Sequence, residues 1–139
     1  MIIVSACLAG VNCRYDGKSK KNSQVIELIV KGEAIPLCPE QLGGLSTPRD
    51  PVNIQSGINV LVGTERVLTL EGEDVSRNFI QGAYEVLKIA ELIKPSLIIL
   101  KSKSPSCGNT GVTFELLRQK GLRVLSELEW EGKNERPED

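Results

Sequence analysis

Leu97–Ile98–Ile99–Leu100 runs into Lys101–Ser102–Lys103–Ser104–Pro105–Ser106–Cys107–Gly108, and this passage decides the fold. The apolar quartet reads as a strand buried on both faces. Pro105 has no N–H to donate and disfavours helix at Ser104, so the strand stops there. Gly108 and Gly111 loosen the backbone after the thiol, and Thr113 to Lys120 reads as a helix. A thiol on a loop between a strand and a helix lies where open α/β sheets keep their chemistry. Taken alone, Cys107 reads equally well as a small buried residue in a turn.

Two other cysteines sit in the same kind of place. Ile2 to Ala6 is a short apolar run ending at Cys7, and Ala34 to Leu37 is another ending at Cys38. Between them, Asn22 or Ser23 caps a helix with Val25, Ile26, Leu28 and Ile29 on one face, ended by Gly32. Pro39 suits the first turn of a short helix, which brings Cys38 and Glu40 near its positive end. Residues 43–57 form a long irregular stretch. The runs Ile58–Val62 and Val67–Leu70 flank Gly63–Arg66 and predict a small β-hairpin. Asp74 caps a long helix carrying Val75, Phe79, Ala83, Val86, Leu87, Ala90 and Ile93 at helical spacing, and Pro95 stops it. Leu122 to Leu125 makes a last strand, and Glu127 to Asp139 is a charged segment expected to fray, with residues 130–139 as a tail.

Strands alternating with helices call for a single-domain, Rossmann-like α/β fold: an open, mostly parallel sheet with helices on both faces. Right-handed crossovers carry the carboxyl end of every parallel strand to one edge. Cys7, Cys38 and Cys107 are then expected to converge there.

Composition narrows the function. The chain has 139 residues and a formal net charge of −1, with few aromatics. A basic face for duplex nucleic acid and a stacking platform for single strands are both disfavoured. No apolar run approaches the roughly 20 residues of a membrane span, and the first residues lack the form of a signal peptide. The chain reads as cytoplasmic, where structural disulfides are rare. There is no histidine, which removes the usual general base and the commonest partner of cysteine at zinc. Without a CxxC knuckle, spacing alone ranks inert buried thiols first and a soft metal second, as zinc, copper or iron–sulfur, with Cys13 an optional fourth ligand. Lys18, Lys20 and Lys21 read as a solvated loop or as a clamp for an anion.

Longer blocks are more specific. Ser5–Ala6–Cys7–Leu8–Ala9–Gly10 with Arg14–Tyr15–Asp16–Gly17, Cys38–Pro39–Glu40–Gln41–Leu42–Gly43–Gly44–Leu45 with Thr47–Pro48–Arg49, and Leu100 through Gly108 resemble the DUF523 family, with Gly72–Glu73–Asp74–Val75 as a further match. Members of that family have been described as thiouracil desulfidases. The resemblance implies a [4Fe–4S] cluster held by Cys7, Cys38 and Cys107, with one iron left to bind the sulfur of a thiolated pyrimidine base or nucleoside, released as hydrosulfide. Cys13 falls outside the implied ligand set. Relatives carry a longer segment after the last of these cysteines, where this chain passes almost directly from Gly108–Asn109–Thr110–Gly111 into its helix.

Within that chemistry Glu40 is the first candidate base, two residues from a ligand. Ser102 and Ser104 are candidates to bond the substrate or orient water, and Arg14 and Lys101 to balance charge or bind an anionic substrate. Their plainer roles are a helix-start carboxylate, loop capping and surface ion pairs. The rival classes are a metal-free nucleotide- or anion-binding domain, for which no GxGxxG or Walker pattern exists, and a structural metal-binding protein.

Overall fold

A computed structural model describes residues 1–134 of the chain. Four strands form one sheet: β1 (Ile2–Ser5), β2 (Ala34–Leu37), β3 (Leu97–Leu100) and β4 (Val124–Ser126), in the order β2-β1-β3-β4. Every pairing is parallel, with Ile3 opposite Ile35 and Ile98, and Ile99 opposite Leu125. Pro36 lies in β2, an edge strand, where its missing N–H costs no ladder bond on the open side. Strand β4 starts two residues later than the apolar run suggested and extends to Ser126.

Helices cover both faces, as the alternating pattern requires. Side chains alternate across a strand, so Ile3, Ile98 and Leu100 point to one core and Val4, Leu97 and Ile99 to the other. The first core takes α3 (Gly57–Val62), α4 (Ser76–Ile93) and α5 (Val112–Gln119) through Val60, Phe79, Ala83, Val86 and Leu117. The second takes α1 (Ser23–Val30) and α6 (Glu127–Asn134) through Val25, Leu28 and Trp130. Asn22 caps α1 by accepting from the N–H groups of Gln24 and Val25. The cap of α4 falls on Val75, with the Asp74 carboxylate accepting from the Ser76 N–H at 2.9 Å.

Two expectations are corrected. The β-hairpin does not form: Ile58–Val62 belongs to helix α3, and the only pairing left in the region is a single antiparallel bridge between Leu68 and Asp74. A five-residue apolar run carries no period long enough to separate strand from helix. Here local chemistry decides, because Ser56 Oγ accepts from the Asn59 N–H and Gly63 ends the helix in the left-handed region. Gly57 then lies so close to α5 that a Cβ there would come within 2.4 Å of the Gly111 carbonyl oxygen. The expected fraying segment is the helix α6 as far as Asn134, and the rest of the expected tail, residues 135–139, lies outside the described residues.

One short element bears directly on the site. Helix α2 (Pro39–Leu42) follows β2 at once, with Cys38 as its N-cap and Pro39 at its first position. It packs on α4 backbone to backbone: a Cβ on Gly82 would lie 2.0 Å from the Pro39 carbonyl oxygen, and one on Gly43 2.0 Å from that of Asn78.

Candidate metal and substrate site

Because all four strands are parallel, their carboxyl ends share one edge, and a cavity of about 890 Å³ opens there. Cys7, Cys13, Cys38 and Cys107 all line it. Cys7 lies two residues past β1, in a single 3₁₀ turn (Ala6–Ala9) that ends at Gly10 with φ 94°. Cys38 follows β2 directly. Cys107 sits on the loop after β3, which is wound around Ser104: Ser104 Oγ accepts from the N–H groups of Ser106 and Cys107 at 3.2 and 3.1 Å. Gly108 and Gly111 do not loosen this loop; they let it tighten. A Cβ at Gly108 would meet the Ser104 carbonyl oxygen at 2.6 Å, and one at Gly111 the Ser106 carbonyl oxygen at 2.5 Å.

All four thiols are free. Burial, chiefly, pushes the Cys107 thiol up to about 12. A hydrogen bond with Cys38 pulls the Cys13 thiol down, but one with Cys7 and burial outweigh it and raise it to about 11. That same bond with Cys13, together with burial, raises Cys38 well above its ordinary value. Cys13, Cys38 and Cys107 are therefore neutral thiols at neutral pH. Among the described residues no three His, Cys, Asp or Glu side chains stand where a single metal ion could take them all.

The other expected site residues divide. Arg14, Lys101, Ser102 and Ser104 line the cavity with the thiols; Glu40 does not. Glu40 is buried behind its wall, where Arg49 Nε donates to Oε1 at 2.8 Å and Ser106 Oγ donates to Oε2 at 2.7 Å. Ser106 itself lines the cavity beside Cys107, so Glu40 reaches the site through that hydroxyl. Ser104 is committed to its turn and to a 3.1 Å hydrogen bond with Ser106. Arg14 pairs with Asp16 at 3.4 Å, and its guanidinium lies 5.7 Å from the centre of the Tyr15 ring. Lys101 Nζ lies 3.3 Å from Glu127 Oε2. Lys20 and Lys21 also line the cavity, and the Lys20 N–H is tied to the Cys7 carbonyl at 3.0 Å.

Three residues at the site were not read from the sequence: Arg49, Ser106 and Glu127. Arg49 and Ser106 lie inside the blocks that carry the family resemblance, which was the available signal. Glu127 follows strand β4 as Cys38 follows β2, so the rule that located the thiols also locates it.

Residues 2–129 match the family model described as 2-thiouracil desulfurase. The chain belongs to the 2-thiouracil desulfurase family. A relative from Bacillus subtilis (strain 168), described as uncharacterized protein YbbK, is 42% identical over 146 residues, covering 93% of this chain and 97% of its own. Among solved structures, the [4Fe-4S]-dependent thiouracil desulfidase TudS (DUF523Vcz) is 38% identical and superimposes with a TM-score of 0.80, over 92% of this chain and 91% of its own. The thiol-lined edge described above therefore belongs to a 2-thiouracil desulfurase fold.

Proposed function

We propose that this chain is a [4Fe–4S]-dependent desulfidase that replaces the sulfur of a thiolated pyrimidine base or nucleoside by oxygen and releases hydrosulfide. The observation that carries the reading is that Cys7, Cys38 and Cys107, from three different strand ends, line one cavity in a member of this family. The donor set fits the group. All three are soft sulfur donors, the kind that would hold an iron–sulfur cluster. When bound, the cluster supplies an iron without a protein thiolate, a Lewis acid suited to the substrate's sulfur.

The chain's own residues do the rest. Cys7, Cys38 and Cys107 release their protons on loading, since only thiolates ligate. Ser106 Oγ, which already donates to Glu40 Oε2, relays one proton from water to that carboxylate as the water oxygen bonds to the thiocarbonyl carbon, and the second water proton leaves with the sulfur as hydrosulfide when the carbon–sulfur bond breaks. Arg49 holds Glu40 in place for this transfer. Arg14 and Lys101 line the cavity as cations that offset the negative charge of a thiolate-bound cluster. Reduced thiols suit a cytoplasmic enzyme.

The test is direct. Protein reconstituted with iron and sulfide without oxygen is incubated with 2-thiouracil, 4-thiouracil and their nucleosides, and hydrosulfide and the oxo-pyrimidine are measured. Equal amounts of both products are expected from at least one substrate. Silence across the set removes the reading in favour of the rival, an anion-binding domain, for which Lys20 and Lys21 at the cavity speak.

A further inference from the structure

Glu127 opens helix α6 and is only 6% exposed. Its carboxylate gathers three donors: the Ser102 N–H at 2.7 Å, the Ser102 hydroxyl at 3.1 Å and Lys101 Nζ at 3.3 Å. Lys101 Nζ also donates to the Ser102 carbonyl at 2.9 Å and to Ser102 Oγ at 3.3 Å. All of these residues line the cavity with the thiols.

The arrangement fixes the polarity of one hydroxyl. A serine Oγ has one proton and two lone pairs, an ionised carboxylate only accepts, and an ammonium only donates. The Ser102 proton is therefore committed to Glu127, and one lone pair is taken by Lys101. What Ser102 has left for the cavity is a single acceptor site. A hydroxyl without these neighbours would rotate and serve as donor or acceptor alike.

We infer that Glu127 is a positioning residue that holds Ser102 as an acceptor for a ring N–H beside the sulfur-bearing carbon, so that the site favours pyrimidines protonated at that nitrogen over N-alkylated ones. In a pyrimidine this is N3–H, which neighbours both positions where a thiocarbonyl can stand. The inference rests on the function proposed above, since it names the substrate feature that the same cavity reads. Glu127→Gln reverses the polarity, because the amide NH₂ donates to Ser102 Oγ and turns its proton towards the cavity.

The experiment is equilibrium binding of uridine and N3-methyluridine, which cannot react, to the reconstituted protein by calorimetry. The wild type is expected to prefer uridine by about tenfold, the worth of one neutral hydrogen bond. E127Q and Ser102→Ala are each expected to lose that preference, and E127Q added to Ser102→Ala to change nothing further, which a merely structural role would not produce. A preference that survives E127Q overturns the inference and leaves the proposed function standing. Wild-type protein that binds the two alike, or binds neither, overturns the inference as well, and the proposed function is then decided by its own turnover test. If E127Q does not fold, Glu127→Asp, too short to reach both Ser102 groups, takes its place with the same expectation.

Discussion

Arg49 Nε donates to Glu40 Oε1 across 2.8 Å, and each of the two side chains is only about a tenth exposed. The same guanidinium donates to the carbonyls of Cys13 at 2.8 Å and Ser46 at 3.1 Å and to Thr47 Oγ1 at 2.9 Å. One side chain thus ties the Cys13 loop, helix α2 and the loop after it into one block. Removing it leaves a carboxylate buried without its partner. Arg49→Ala is expected to cost about 3–5 kcal/mol in urea unfolding of the metal-free protein. Arg49→Lys keeps the charge but not the fork of donors, and should recover less than half of that. A loss below about 1 kcal/mol in Arg49→Ala would put the pair in the class of exposed ion pairs.

Cysteine replacement separates ligands from bystanders. Cys7→Ser, Cys38→Ser and Cys107→Ser are each expected to abolish the brown chromophore of anaerobically reconstituted protein, and Cys13→Ser to keep it. Visible absorbance with iron and sulfide analysis reads the result. Equal loss in all four variants would mean that Cys13 closes the site.

Gly82 is a packing residue for the site although it is far from it in sequence. The Cβ of Gly82→Ala would overlap the Pro39 carbonyl oxygen, at 2.0 Å, so α2 must move away from α4. Backbone cannot yield as a side chain tip does, so the cost is expected at about 3 kcal/mol or more. Because α2 begins beside Cys38, iron content after reconstitution should fall as well. Full stability with full iron content would show that the two helices can part without consequence.

Thiol chemistry gives a pH signature. Folding raises Cys13 to about 11 and Cys107 to about 12, from 9.0. At about pH 8 the thiolate fraction at Cys13 is then roughly a hundredfold below that of an exposed thiol. Alkylation of Cys13 and Cys107 in the metal-free folded protein by iodoacetamide, read site by site by mass spectrometry, should be slow at neutral pH and accelerate as the pH rises above 9. Labelling as fast as in urea would contradict the burial described here. The Cys107 proton, with those of Cys7 and Cys38, must leave when the cluster is loaded, so loading should strengthen with rising pH.

Strands β1, β2 and β3 and helices α1, α4 and α5 were readable because each has a clear apolar pattern and a capping or stopping residue close by. Helix α3 was not, because Ile58–Val62 is too short to show a period. The convergence of Cys7, Cys38 and Cys107 followed from topology: once the strands are parallel, their ends share an edge. What topology does not supply is which polar groups meet. Ser106 and Glu40 are 66 residues apart in the chain, and Ser102 and Glu127 are 25 apart. Those pairings depend on how far a loop or helix start is turned, and no local spacing encodes it. Glu40 shows the limit well: its place in the first turn after Cys38 is legible in the sequence, while its orientation, away from the cavity and towards Arg49 and Ser106, belongs to the tertiary structure.

The wall that Glu127, Leu128 and Glu131 contribute to the cavity sets an order of assembly. During synthesis the sulfurs at positions 7 and 38 emerge long before the rest, yet their pocket has no far side until residues past 126 have left the ribosome. Iron delivered to the nascent polypeptide would meet an incomplete, solvent-washed nest. The pocket around these sulfurs is thus complete only once α6 has folded onto it, and a chain that stops before α6 would leave them open to solvent on that side.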